Sequence, residues 1–219
     1  MYLQNKVIQQ ENEIDLKLSQ EFNVSREELK EVAQKAALVR LECGANFPPT
    51  FPGTATWGYG TDALCGKMLK NQNWFRGVLK NITFVYNDIQ KKIIIFQNVD
   101  QACDPMNPPR LLHLKGPMST SLIDINQGDL FGQPSNISLG IPKNFELWYF
   151  CFSFQIYNGL DIRAELSRPG PLLKRQLDEF HERIFILEKG DDGFASIMEN
   201  KGPSPSDYEL DVTRNRKKL

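Results

Sequence analysis

The segment ELWYFCFSFQIYNGLDIRAELSR, residues 146–168, constrains the fold more than any other part of the chain. Two long runs of aromatic and β-branched residues flank Asn158-Gly159, a pair that readily adopts the positive φ angles of a type I′ turn. The segment therefore predicts an antiparallel hairpin. A second hairpin is predicted for residues 81–99, where two runs of the same kind flank a polar connection.

Two segments have the apolar spacing of helices. Residues 25–42 begin with Ser25 and Glu28, which match the capping box at a helix start. After Pro169, apolar residues recur at alternating steps of four and three, which predicts a helix over 171–189, although RIFIL alone would also suit a strand. Together these patterns predict an α+β fold: a mainly antiparallel sheet with two hairpins, packed with an N-terminal and a C-terminal helix.

The chain has 219 residues, which suits one large domain. Residues 1–24 are polar and predict an arm or a weak helix. Residues 25–200 are predicted to form a single α+β domain, and the polar residues 201–219 a loose tail.

Residues 45–60 contain several prolines and glycines, which predicts a loop before a short helix that begins near residue 61. The segment also invites comparison with a phosphate-binding loop, since Gly66-Lys67 follows Gly60. Five residues separate Gly60 from Gly66, one more than that motif has, and Met68 stands in the place of its Ser or Thr. We therefore exclude a phosphate-binding loop of this type.

Three aromatic residues of the predicted loop, Phe51, Trp57 and Tyr59, are candidate partner-binding residues, because aromatic side chains on loops often anchor interfaces. The simpler alternative is that they pack against the domain. A small-ligand pocket beneath residues 47–60 is a further alternative.

Bulk composition narrows the class of function. The net charge of −1 disfavours nucleic acid as a partner, although it leaves room for a local basic patch. The four cysteines form no C-x-x-C pair, and no signal peptide or membrane-length apolar segment is found. These features predict reduced thiols, a cytoplasmic location and no membrane partner.

Charged residues on the second strand of the 146–168 hairpin are the candidates for chemistry. With a two-residue turn, Asp161, Arg163 and Glu165 share a face with the aromatic row of the first strand. In the simpler interpretation these charges are solvated near an edge, with Arg163 over Phe154. In the alternative, Asp161 and Glu165 bind Mg²⁺ or Mn²⁺ and Arg163 steadies a phosphate.

The sequence thus leaves two classes of function open. The leading hypothesis is a soluble, non-enzymatic binding protein that needs no cofactor and whose partner is another protein. The alternative is a metal-dependent nuclease or related phosphoryl-transfer enzyme with catalytic Asp161, Arg163 and Glu165. That alternative predicts that Glu165→Ala abolishes activity while barely changing stability.

Overall fold

The structure is a computed structural model that describes residues 6–79, 81–112, 145–156, 159–170, 172–173, 176–177 and 179–191. Its helices are α1 (Glu11–Phe22), α2 (Arg26–Glu42) and α3 (Phe51–Met68). Its strands are β1 (Lys6–Ile8), β2 (Trp74–Leu79), β3 (Ile82–Asn87), β4 (Lys92–Asn98), β5 (Glu146–Gln155), β6 (Asp161–Pro169), β7 (Leu172–Leu173), β8 (Gln176–Leu177) and β9 (Phe180–Leu187).

Seven strands form one mixed sheet in the order β1-β9-β6-β5-β4-β3-β2, and β7 pairs with β8 separately. The central strands β4 and β5 are parallel, as are β1 and β9 at one edge, and the other neighbours are antiparallel. The fold is α+β with a mixed sheet, so the prediction of a mainly antiparallel sheet with two hairpins is wrong, although the antiparallel pairs predicted within 81–99 and 146–168 are present as β3–β4 and β5–β6. Parallel neighbours need a long crossover instead of a tight turn, so local turn signals do not reveal them.

The helix predicted over 171–189 is also wrong, since the described part of this range forms β7, β8 and β9. β9 lies between β6 and β1, and its residues Ile184, Phe185 and Ile186 are fully buried. A strand buried on both faces has a continuous apolar run instead of an alternating one. Such a run can match a helical spacing by chance, which explains the error.

The helix predicted over 25–42 is confirmed as α2. Ser25 and Glu28 form the capping box: the Ser25 hydroxyl accepts from the Glu28 backbone N–H, and the Glu28 carboxylate accepts from the Ser25 N–H at 2.9 Å. Glu31 and Lys35 lie four residues apart on α2, and both of them pair with residues of α3. Glu31 binds Lys67, and Lys35 lies 2.7 Å from Asp62.

The loop predicted over 45–60 is wrong over most of its length, because α3 begins at Phe51. Pro52 lies in the first turn, where a missing N–H breaks no helical hydrogen bond. Gly60 packs directly on the Phe96 ring of β4: a Cβ at this position would lie 2.2 Å from Phe96 Cζ. Close packing of helix on sheet thus uses a glycine that local propensity counts against a helix.

The β5–β6 pairing differs by one residue from the predicted register. Phe154 pairs with Ile162, Ser153 with Arg163 and Cys151 with Glu165. Residues 156–160 connect the strands, with Gly159 at φ +99°, while Asn158 lies outside the described residues. A one-residue shift moves a strand's side chains to the other face. Asp161, Arg163 and Glu165 therefore share a face with Tyr149, Cys151 and Ser153, not with the aromatic row.

The three helices cover one side of the sheet, which we call the helix face. There, Ile14, Leu18 and Phe22 of α1 are fully buried in a core with Trp148, Phe150 and Phe152 of β5. On the opposite face, Tyr149, Cys151 and Phe185 pack with Val99, Ala102 and Leu111 from the segment after β4. Segment 99–112 thus forms a layer over the strand face that carries Glu165.

Ion pairs fasten α1 to the sheet at the end where β4 and β5 begin. Lys17 lies 3.0 Å from Glu182 of β9, and Glu21 lies 3.0 Å from the buried Lys92 of β4. Lys92 in turn lies 2.7 Å from Glu146 of β5. Residues 6–22 therefore form a strand and a helix that are both part of the core. The domain limits at 25, 200 and 201 stay predictions, and the tail at 201–219 lies outside the described residues.

Within the described parts of the chain, no helix has the length and apolar character needed to cross a bilayer.

Alanine substitutions at two glycines of α3 distinguish the effect of helix propensity on stability from the effect of packing. Gly60→Ala places a methyl group against the Phe96 ring, so we expect a loss of about 1–3 kcal/mol in the free energy of unfolding. Gly58→Ala is the matched control, since a Cβ there meets nothing within 4 Å. It should stabilise the protein by about 0.4–1 kcal/mol. Urea unfolding measures both, and equal effects would contradict the helix-on-sheet contact.

Candidate functional site

Glu165 lies at the buried centre of the opposite face, where its carboxylate accepts four hydrogen bonds. Arg183 of β9 donates two of them, from Nε at 2.8 Å and Nη2 at 2.7 Å. The Ser167 hydroxyl and the Cys103 backbone N–H donate the others, each at 2.5 Å. Glu165 and Arg183 are both 0% exposed. The carboxylate is therefore fully occupied and shielded from water.

The guanidinium of Arg183 also reaches segment 99–112. Its Nη1 donates to the Asp104 carbonyl oxygen at 2.8 Å, and its Cζ lies over the rings of Phe180 and Phe185, 5.9 and 5.2 Å from their centroids. A buried charge is tolerated when it is paired and hydrogen-bonded in this way. The pair thus joins β6, β9 and segment 99–112 in one polar contact.

Cys103 holds its part of this contact in an unusual conformation. Its φ is +53°, and its thiol lies 3.1 Å from the Ala164 oxygen and 3.3 Å from the Leu187 oxygen. Burial, and next the charge of Glu165, raise the pKa of the Cys103 thiol well above its usual value. The thiol is therefore protonated at neutral pH and is not an activated nucleophile.

Asp161 and Arg163 form a separate ion pair near the start of β6. Arg163 donates from Nε and Nη2 to the two oxygens of Asp161, both at 2.8 Å, and Lys189 lies 3.7 Å from the same carboxylate. The hydrogen bonds from Arg163 lower the pKa of Asp161 below its usual range. The carboxylate is ionised at neutral pH, with an arginine already bound to it.

The structure does not bring Asp161 and Glu165 together. They are four positions apart on one strand, so their Cα atoms lie about 13 Å apart at about 3.3 Å per residue. Two oxygens bound to one Mg²⁺ ion lie within about 5 Å, since each bond is about 2.0–2.1 Å. A metal at Glu165 would also have to replace Arg183. The metal and catalytic assignments of Asp161, Arg163 and Glu165 stay predictions, and this geometry does not favour them.

Among the described residues, no group of three or more His, Cys, Asp or Glu side chains is placed to hold a metal ion.

The aromatic candidates lie on α3 instead of a loop, and all three are exposed: Phe51 by 40%, Trp57 by 39% and Tyr59 by 53%. Successive helical residues are about 100° apart, so the side chains of Trp57 and Tyr59 lie about 200° apart around the axis. Tyr59 is on the flank of Asp62, which binds α2. One flat surface therefore does not contain both Trp57 and Tyr59.

Phe51 has a neighbour that the sequence analysis missed. The Phe47 ring stacks on the Phe51 ring with centroids 4.6 Å apart and planes 11° apart, and Phe47 is 47% exposed. The first turn of α3 is tied to the sheet, because Asn98 Nδ2 at the end of β4 donates to the Gly53 oxygen at 2.8 Å. The stacked rings thus stand on an anchored helix end.

Comparison with protein-family models, curated proteins and solved structures finds no match to this chain. Any functional argument therefore depends on the chain's own geometry.

The Glu165–Arg183 pair and the Asp161–Arg163 pair should respond differently to neutralisation. Glu165→Gln leaves a buried arginine without its counter-ion, so we expect a loss of about 3–5 kcal/mol in unfolding free energy. Asp161→Asn removes a partly exposed pair and should cost about 1 kcal/mol or less. Guanidinium unfolding of both variants makes the comparison.

The double variant Glu165→Gln/Arg183→Met is the control, because it removes both charges at once. It should be less destabilised than the sum of its single changes. If Glu165→Gln unfolds no more easily than Asp161→Asn, Glu165 is not structural and remains free for chemistry.

Proposed function

We propose that this chain is a soluble, non-enzymatic binding protein that acts in the cytoplasm and recognises another protein. The observation that supports it best is the exposed aromatic cluster at the start of α3. The stacked rings of Phe47 and Phe51 form what we call the α3 aromatic surface, with the exposed Thr54 on the next turn of the helix.

The composition of this surface suits a protein partner. Aromatic residues are enriched at the centres of protein interfaces, where they supply much of the binding energy. The exposed residue beside the rings, Thr54, is small and leaves room for a partner side chain to pack. A protein partner therefore fits this surface better than a small ligand, which needs a concave pocket.

The surface is also held in place before any partner arrives. Besides the Asn98–Gly53 bond, Arg40 of α2 approaches the same turn and lies 5.8 Å from the centre of the Phe154 ring. Side chains on an anchored helix end lose less conformational freedom on binding than those on a loose loop. This supports a recognition surface that is already ordered before a partner binds.

The cytoplasmic part of the proposal is supported by the thiols. None of the four cysteines forms a disulfide, and three of them are buried. Proteins of reducing compartments keep their cysteines in this form.

The test is affinity capture from an extract of the native cells, with protein and nucleic acid both measured. The wild-type chain should retain a stoichiometric protein partner, and Phe47→Ser/Phe51→Ser should lose it. Loss of hot-spot aromatics costs about 2 kcal/mol or more, so titration calorimetry with the purified partner should show affinity weakened by about thirtyfold or more.

Trp57→Ser is the matched control, since it removes an equally exposed aromatic residue that lies about 120° from Phe51 around the helix axis. It should bind the partner as the wild type does. Equal capture by all three chains would contradict this surface, and capture of nucleic acid without protein would contradict the proposed function.

A further inference from the structure

The strand β2 forms one edge of the seven-stranded sheet, and among the described residues nothing pairs with its outer side. Phe75 and Val78 are 48% and 52% exposed there, and Arg76 is exposed as well. An edge strand with free backbone groups is a template for another strand unless it is short, bulged or covered. β2 has six residues, and its register with β3 runs without a bulge.

The free backbone groups can be assigned from the register. Leu79 pairs with Ile82 across a two-residue connection, so Leu79, Gly77 and Phe75 direct their N–H and C=O groups to β3. The alternate residues direct theirs outward. Trp74 agrees with this pattern, since its N–H donates to the Asn71 oxygen and not to β3. Arg76 and Val78 therefore present the N–H and C=O groups that a further strand would bind.

The stretch of sequence that contains this edge strand is basic. Residues 63–87 contain no Asp or Glu but include four basic residues, Lys67, Lys70, Arg76 and Lys80. Lys67 is paired with Glu31, whereas Lys70 and Arg76 make no ion pair within the described residues. Arg76 instead contacts the thiol of Cys65 on α3. A segment that docks here meets uncompensated positive charge.

We propose that β2 accepts an extended segment of another protein, in which acidic residues alternate with apolar ones, as an additional antiparallel strand. This site is separate from the α3 aromatic surface and does not depend on it. Backbone hydrogen bonds would supply affinity, and the alternating side chains would supply specificity.

The two faces of β2 determine which positions of the added strand should be acidic and which apolar. Arg76 and Val78 lie on the helix face, as Trp74 does, so a residue opposite Arg76 is placed for a cross-strand ion pair if it is acidic. Phe75 and Gly77 lie on the opposite face, where the Phe84 ring covers Gly77: a Cβ on Gly77 would lie 2.3 Å from Phe84 Cε2. A partner residue opposite Gly77 thus packs between Phe75 and Phe84, which suits an apolar side chain.

A second copy of this chain fits the edge less well. Pairing of β2 with itself around Arg76 puts two arginines directly opposite each other, which is unfavourable. Pairing around Gly77 removes that clash but still brings two acid-free basic segments together. The charge therefore favours a different, acidic partner.

The test uses a fluorescein-labelled peptide of alternating glutamate and valine, and a second peptide with lysine in place of glutamate. Fluorescence anisotropy should show that the wild-type chain binds the glutamate peptide about tenfold more tightly than the lysine peptide. Arg76→Glu should reverse that preference. Val78→Pro removes an outward N–H and should weaken binding of the glutamate peptide about tenfold.

Hydrogen exchange identifies the mode of binding, because strand addition protects the Arg76 and Val78 amides. Two controls should bind the glutamate peptide as the wild type does: Lys35→Glu, the same kind of charge reversal at an exposed position of α2, and Phe47→Ser/Phe51→Ser. The second control separates this site from the α3 aromatic surface, so either proposal can fail alone.

Several outcomes would overturn the proposal. One is that the glutamate peptide does not bind, in which case Arg76 only guards the edge against association. Another is that Arg76→Glu binds this peptide as tightly as the wild type does. Binding of a single-stranded oligonucleotide instead of the peptide would also overturn it. If Val78→Pro fails to fold, the charge-reversal comparison and the hydrogen exchange of the wild-type chain still decide.

Discussion

The buried ion pair between Glu165 and Arg183 is the contact on which the opposite face depends. It links neighbouring strands β6 and β9, and its remaining hydrogen bonds bind the backbone of Cys103 and Asp104. Removing two charges from water is costly, and the cost is offset only when their geometry is satisfied. Any other alignment of β6 with β9 leaves a buried charge unpaired. The pair thus favours one register and one position of segment 99–112.

Local patterns in the sequence predicted the elements whose determinants are local. The capping box at Ser25 and the core stripe of α2 both lie within one helix, and the structure confirms them. The errors arise where distant residues decide. α3 forms across several glycines because Gly60 lets it approach Phe96, and β9 is a strand because β6 and β1 pair with its two edges. Neither partner is close in sequence, so neither contributes to a local pattern.

In the candidate site, too, the local features could be predicted and the distant partners could not. The charges at Asp161, Arg163 and Glu165 stand out in an apolar hairpin, and the structure places each of them in an ion pair. Arg183 was missed as the partner of Glu165 because a helix was predicted over 171–189, and a helix there would not pair with β6. The one signal for it is an arginine inside the run RIFIL, which suits a strand with a buried charge. The turn length added a further error: a longer connection shifts the register by one residue and moves the charges to the other face.

Pairing of β1 with β9 has a consequence for how the chain acquires this structure during translation. Lys6–Ile8 lies beside Glu182–Ile184, and the core under α1, α2 and α3 is completed by strands that follow them in the chain. A ribosome releases the three helices before it has made β5, β6 and β9. Their apolar faces then have no sheet to cover them, and such transient exposure is what chaperones recognise. Slow, late closure of the sheet is therefore built into the order of its strands.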